Sequence, residues 1–287
     1  MSETELPSLK GRPLRHDLYE FDASRDRYSY ALNDLKRALA NPRLISSVVL
    51  KSFSGRYQRT SLGPFWLTIS TAMTVGGLAV LYGKIFGSPL SDYFPYVGCG
   101  IIVWGLVSSI FNGAAGAFST GAATFDQIPI AKSIFAFRVL GSSFLAFMYK
   151  LPVLFSALVL VGRTPGVLSI FVALCGLGLV LWTGFWCTLV LGTIGLRFKD
   201  TAQAISAIMS AVFFFTPVFW QADRLREYAF IVDLNPFYHY IHIIRGPLLG
   251  YDGVAHSFIW AVGCATLMTI AGATVYGMFA RRFSYWS

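Results

Sequence analysis

The sequence predicts an all-α integral membrane protein. It has six transmembrane helices, an amphipathic interfacial helix before the first, and two short re-entrant or interfacial helices between the fifth and sixth. Three observations carry this expectation. Hydrophobic residues make up 55% of the 287 positions, and the mean hydropathy is +0.59. Charged residues make up only 13%, about half the roughly 25% of a soluble domain. These charges crowd toward the start, with 11 basic and 7 acidic residues in the first 63 positions. Residues 1–63 therefore read as a cytoplasmic N-terminal region, and 64–287 as the membrane domain.

The uncharged runs set the spans, each near the roughly 20 residues that a bilayer core requires. They run from Thr60 to Gly83, Tyr93 to Phe125, Val139 to Gly162, Thr164 to Leu196, Thr201 to Ala222 and Gly253 to Ala280, and the third contains Lys150. Met1 to Asp26 is polar and lacks the apolar core of a signal peptide, so the N-terminus is expected in the cytoplasm. On that orientation 17 Lys and Arg residues fall on the inner side and 5 on the outer. This bias puts both termini inside.

Between the fifth and sixth spans, Asp223 to Asp252 is too charged for a span and too apolar for a free loop. Two short helices broken at Asn235-Pro236 fit it. Before the first span, Asn41-Pro42 offers a capping residue and a tolerated first-turn proline. From there Ile45, Val49, Phe53 and Tyr57 recur every four residues, while Arg43, Lys51, Gln58 and Arg59 lie largely elsewhere around the helix. That pattern predicts a basic amphipathic helix on the cytoplasmic membrane surface. Gly63-Pro64 then permits a sharp turn into the first span.

The net charge of +9 sits beside apolar spans, which points to lipid phosphates and not to nucleic acid. Cys99, Cys175, Cys187 and Cys264 all lie in apolar runs with no CxxC pair and read as small buried hydrophobes. His239 and His242 are three apart, but no acid is convincingly placed with them, so no metal site is expected. The predicted spans hold no carboxylate, which argues against a membrane-embedded glycosyl- or phosphotransferase. Gly83-x-x-x-Gly87 matches a helix-dimer motif.

Several pieces together carry a family resemblance. "RYQRTSLGPFW" is similar to the R-Y-x-x-[ST]-x-L-G-x-x-W run that precedes the first span of ABC-2 type permeases exporting polysaccharides, with Arg56, Tyr57, Leu62, Gly63 and Trp66 in the matching positions. "LRFKDTAQ" (196–203), "FFFTPVFW" (213–220), "LNPF" (234–237) and "RRFSYW" (281–286) resemble that family's later motifs, in order and over roughly residues 40 to 287. The resemblance implies a permease subunit that works as two copies with two copies of a separate ATP-binding subunit. The chain has no G-x-x-x-x-G-K-[ST] loop, so it is expected to bind no cofactor itself, ATP and Mg2+ belonging to the partner.

The resemblance further implies a lipid-linked polysaccharide as cargo, a drug or a lipid being the alternative, and the bacterial cytoplasmic (inner) membrane as location. It implies a coupling surface on the helix before span one and on the connection after span two. Lys51, Arg56, Tyr57, Arg59, Asp126, Gln127, Pro129 and Lys132 are the candidates. The family's channel is lined by aromatic side chains, notably on the first and fifth spans. Phe65, Trp66, Tyr82, Phe213, Phe214, Phe215, Phe219 and Trp220 are the candidates here, although an aromatic belt at the headgroup level accounts for such residues as well. Lys150, two residues before Pro152 and near the middle of the third span, joins them as a mid-membrane charge. It would meet the pyrophosphate of a lipid-linked glycan, or else snorkel to an interface.

Overall fold

The computed structural model describes residues 26–121, 130–222, 229–280 and 283. Asp126, Gln127 and Pro129, with most of the C-terminal "RRFSYW", lie outside the described residues. Among the described residues there are ten α-helices and no strand. Two precede the spans, α1 (Asp26–Leu39) and α2 (Pro42–Gly55). Then come α3 (Phe65–Phe86), α4 (Leu90–Ala115), α5 (Ile134–Leu160) and α6 (Val167–Arg197). The chain ends with α7 (Thr201–Phe215), α8 (Ala229–Asp233), α9 (Pro236–Leu249) and α10 (Val254–Phe279).

Five helices among the described residues, α3 to α6 and α10, are long and apolar enough to cross a membrane. The fifth expected span is shorter than the sequence suggested. Its helix α7 has 15 residues, or about 22 Å against a hydrocarbon core of about 30 Å. Pro217 is the reason. The residue before a proline is pushed out of the helical region, and Thr216 is extended at φ −94°, ψ 131°. The second expected span ends early too, at Ala115.

α4 is the most buried span. It packs against α3, α5, α6, α7 and α9, and supplies Tyr93, Val97, Cys99, Ile102, Leu106 and Ile110 to the main core. The two short helices predicted between spans five and six are present as α8 and α9. α9 is no surface feature: it packs against α4, α6 and α10 and buries everything from His239 to Gly246. Its start obeys the sequence rule, with Pro236 in the first turn and the Asn235 side chain accepting from Phe237 N at 2.9 Å.

Asn41 does not cap α2. Its Nδ2 instead donates to Arg37 O at 2.9 Å, closing the end of α1. Gly83-x-x-x-Gly87 does not form a free dimer face either. Gly87 ends α3 in the left-handed region at φ 64°, and Gly83 faces Leu90 and Tyr93 of the same chain. Of the four cysteines, Cys99 and Cys187 are buried and Cys264 is half-buried, but Cys175 is exposed.

Candidate conduit wall and coupling surface

Among the described residues α3 packs chiefly on α4 and α5, and Met73, Val80, Leu81 and Ile85 on it are exposed. Near its end, Tyr82 lies 5.1 Å from Phe219 and Phe219 5.6 Å from Phe213. Phe213 in turn meets Phe214 at 5.5 Å and Trp104 at 5.6 Å. Four of the predicted aromatic residues therefore form one contiguous stack across α3 and the end of α7. Phe214 and Phe215 are 67% and 63% exposed on the open side of α7, which gives that face flat apolar rings and no fixed hydrogen-bond direction. Phe65 and Trp66 are exposed at the opposite end of α3. Seventeen residues separate Phe65 from Tyr82, about 26 Å of helix, so they do not belong to this stack.

Beyond α7 the chain is not helical, and its carbonyls need partners wherever water is absent. α4 and α9 provide them. Tyr96 donates to Trp220 O at 2.8 Å and Tyr93 donates to Phe219 O. Arg245 donates to Pro217 O at 3.0 Å. Asn235 ties the same corner, its Nδ2 reaching Thr216 Oγ1 at 2.9 Å. Gly100 makes this approach possible, because a Cβ there would stand 2.2 Å from Val218 O.

Lys150 lies in the middle part of α5 and beside the middle of α4, but close to the start of α3. Thr68, the fourth residue of α3, donates to the carbonyl of Tyr149, so Lys150 lies only about one turn inside the start of α3. Its Nζ rests where Gly105 of α4 leaves room, 2.9 Å from the site of an added Cβ. The side chain is half-buried.

The apolar stripe of α2 is real but faces protein. Val49 and Phe53 are buried, Val49 packs over Gly141 of α5, and Phe53 stacks on Tyr149 at 5.6 Å. Lys51, Arg56 and Arg59 are left exposed and Tyr57 half-exposed. The joint to α3 has two left-handed residues, Gly63 at φ 56° and Arg59 at φ 65°. The second is uncommon for a non-glycine residue, and the sequence gives no sign of it.

Lys132 has a different role from the one the resemblance implied. It is 8% exposed, its Nζ donates to Ala280 O at 2.9 Å, and it lies over the Phe283 ring at 5.4 Å. It faces inward and offers no surface to a partner. The residue that sequence reasoning missed is Asp34 of α1, 7% exposed. One carboxylate oxygen accepts from Lys132 N at 2.8 Å. The other accepts from Ser133 N at 2.9 Å and from the Tyr276 hydroxyl at 2.7 Å. α1 thus caps the start of α5 with a negative charge from outside, and ties it to the end of α10.

Five apolar spans, a shorter apolar helix ended at a Thr-Pro step, a helix folded back into the bundle and a basic helix docked on the spans define a multi-pass α-helical membrane protein. The family described as ABC-2 type transporter matches residues 43–249, and the chain belongs to that family. Two relatives from Klebsiella pneumoniae, both named O-antigen export system permease protein RfbA, are 20% and 19% identical to it. Each alignment covers 84% of this chain and 93% of the relative. A third of the same name from Myxococcus xanthus is 21% identical over 76% of this chain and 89% of its own.

Proposed function

We propose that this chain is the permease of an ATP-driven transporter that exports a lipid-linked polysaccharide across the bacterial cytoplasmic membrane. The observation that carries the reading is near full-length similarity to three proteins named O-antigen export permeases, within an ABC-2 family match of residues 43–249. Two copies form the conduit, with both termini in the cytoplasm, and two copies of an ATP-binding subunit hold ATP and Mg2+. The exposed aromatic face of α7 and the stack around Tyr82, Phe213 and Phe219 fit a wall along which a sugar chain slides on ring faces. The exposed Lys51, Arg56 and Arg59 of the α2 region are the surface offered to the ATP-binding subunit, with Asp126, Gln127 and Pro129 as further candidates.

Deleting the gene is expected to abolish surface polysaccharide while lipid-linked chains accumulate inside the cell, and a plasmid copy is expected to restore export. Unchanged surface polysaccharide, with loss of export of a drug or a simple lipid instead, would place the chain elsewhere in its family.

A further inference from the structure

At the end of the bundle away from α1 and α2 lies a cavity of about 280 Å3 lined by Tyr96, Gln221, Tyr238, His242, Arg245 and Tyr251, with Ala222 and Asp252 completing the wall. Arg245 is only 1% exposed. It packs 4.0 Å from the Tyr96 ring centroid and gives one donor to Pro217 O at 3.0 Å. Its Nε is buried with no partner, and no carboxylate among the described residues pairs with it. A buried guanidinium with five donors and no counter-charge is costly. Among the described residues the one acid of the cavity wall, Asp252, is exposed at the rim. The deep charge is positive.

The histidines fix a second polar feature. His239 Nε2 lies 2.8 Å from the Asp233 carbonyl oxygen, which can only accept, so that nitrogen carries the proton. Burial is the main cause holding His239 below its ordinary pKa, and the neutral ring leaves Nδ1 as an acceptor. Ser257 Oγ, 3.0 Å away, gives its single proton there. The same Oγ lies 3.1 Å from His242 Nδ1 and is left to accept from it. Burial, and next the Arg245 charge, push His242 down to about 4. The neutral His242 therefore has its proton on Nδ1 and a bare lone pair on Nε2, which has no partner among the described residues. The cavity thus combines a buried cation with a hydrogen-bond acceptor.

We propose that this cavity is a binding site for a phosphate group that carries a hydroxyl, with its charge on Arg245 and its O–H donated to His242 Nε2. Inorganic phosphate carries that hydroxyl on phosphorus, and a phosphatidylglycerol headgroup, whose phosphodiester has no P–OH, offers one on its glycerol, so both present an anion for Arg245 and an O–H donor for His242. The inference does not depend on what the chain transports.

The test uses the full-length chain in phosphatidylcholine nanodiscs, with the thermal midpoint followed against inorganic phosphate, sulfate and chloride at equal ionic strength. Phosphate is expected to raise the midpoint saturably. Sulfate, which matches the charge but has no O–H at neutral pH, is expected to act more weakly. Arg245→Gln should abolish both responses, and His242→Ala should erase the preference for phosphate over sulfate. Where Arg245→Gln fails to fold, Asp252→Asn decides: removing the exposed rim charge is expected to tighten phosphate binding by about two- to fivefold. Nanodiscs containing phosphatidylglycerol identify the source. A midpoint raised without phosphate, and then insensitive to it, marks the lipid headgroup as occupant. The proposal is overturned if neither phosphate nor phosphatidylglycerol shifts the wild-type midpoint. It is equally overturned if His242→Ala keeps the phosphate preference or Asp252→Asn leaves the affinity unchanged.

Discussion

Asp34 shows how a residue with no motif becomes structurally decisive. Its carboxylate replaces solvent for two backbone N–H groups at the start of α5 and receives the Tyr276 hydroxyl as well. Truncating it leaves buried donors unpaired, at about 1–3 kcal/mol each where no water enters. Asp34→Ala is therefore expected to destabilise the permease by about 2–4 kcal/mol. The thermal midpoint in detergent checks this, and Asp34→Asn, which keeps an acceptor but loses the charge, should fall between. Lys150 behaves in the opposite way. Its Nζ has neither a carboxylate nor a hydrogen-bond partner among the described residues, so Lys150→Met should leave the midpoint unchanged or raise it, since a half-buried charge is removed without orphaning a partner. A midpoint that drops by several degrees would show that the amine is held by something in the folded protein.

At the scale of elements, α7 carries most of the interest, because it stops where the bilayer requirement would have it continue. Thr216, Pro217 and Asn235 make one corner: proline ends the helix, and Asn235 both caps α9 and holds the Thr216 hydroxyl. Asn235→Ala removes both links and is expected to cost about 1–2 kcal/mol, read as a lower thermal midpoint. The cost should be smaller for Asn235→Asp, which keeps the cap. This corner marks the boundary of what the sequence makes legible. The break at Asn235-Pro236 and the stripe of α2 follow from local rules, because Pro, Asn and a four-residue apolar repeat act within a few residues. Whether a stripe faces lipid or protein is a long-range matter. The Val49 to Gly141 contact of α2 on α5, and the burial of α9 against α6 and α10, leave no local trace. The end of α7 is a local matter, set by Pro217, whereas the uncharged run continues past it. The inward course of Lys132 leaves no local trace either, because it depends on Asp34, Tyr276 and Ala280, which are distant in sequence.

At the scale of the whole molecule, the two ends of the bundle are built differently. The end bearing α1 and α2 is knit together through Asp34, Lys132 and Tyr276 and carries an outward-facing basic surface. The other end closes the unwound segment after α7 over α4 and α9. A push on α2 has a direct mechanical path inward. Its buried face sits on α5 through Val49 and Phe53, Phe53 stacks on Tyr149, and Tyr149 meets both Phe65 and the Thr68 hydroxyl at the start of α3. Motion of α2 therefore reaches α3 through packed side chains as well as through the left-handed joint at Arg59 and Gly63. If Lys51, Arg56 and Arg59 are where the ATP-binding subunit presses, reversing all three to Glu should release that subunit without unfolding the permease, since none of the three is buried. The expected result is loss of the co-purifying ATPase and of surface polysaccharide, with the thermal midpoint of the permease unchanged. A variant that keeps the ATPase bound at wild-type stoichiometry would move the contact elsewhere, with the connection carrying Asp126, Gln127 and Pro129 as the next surface to reverse.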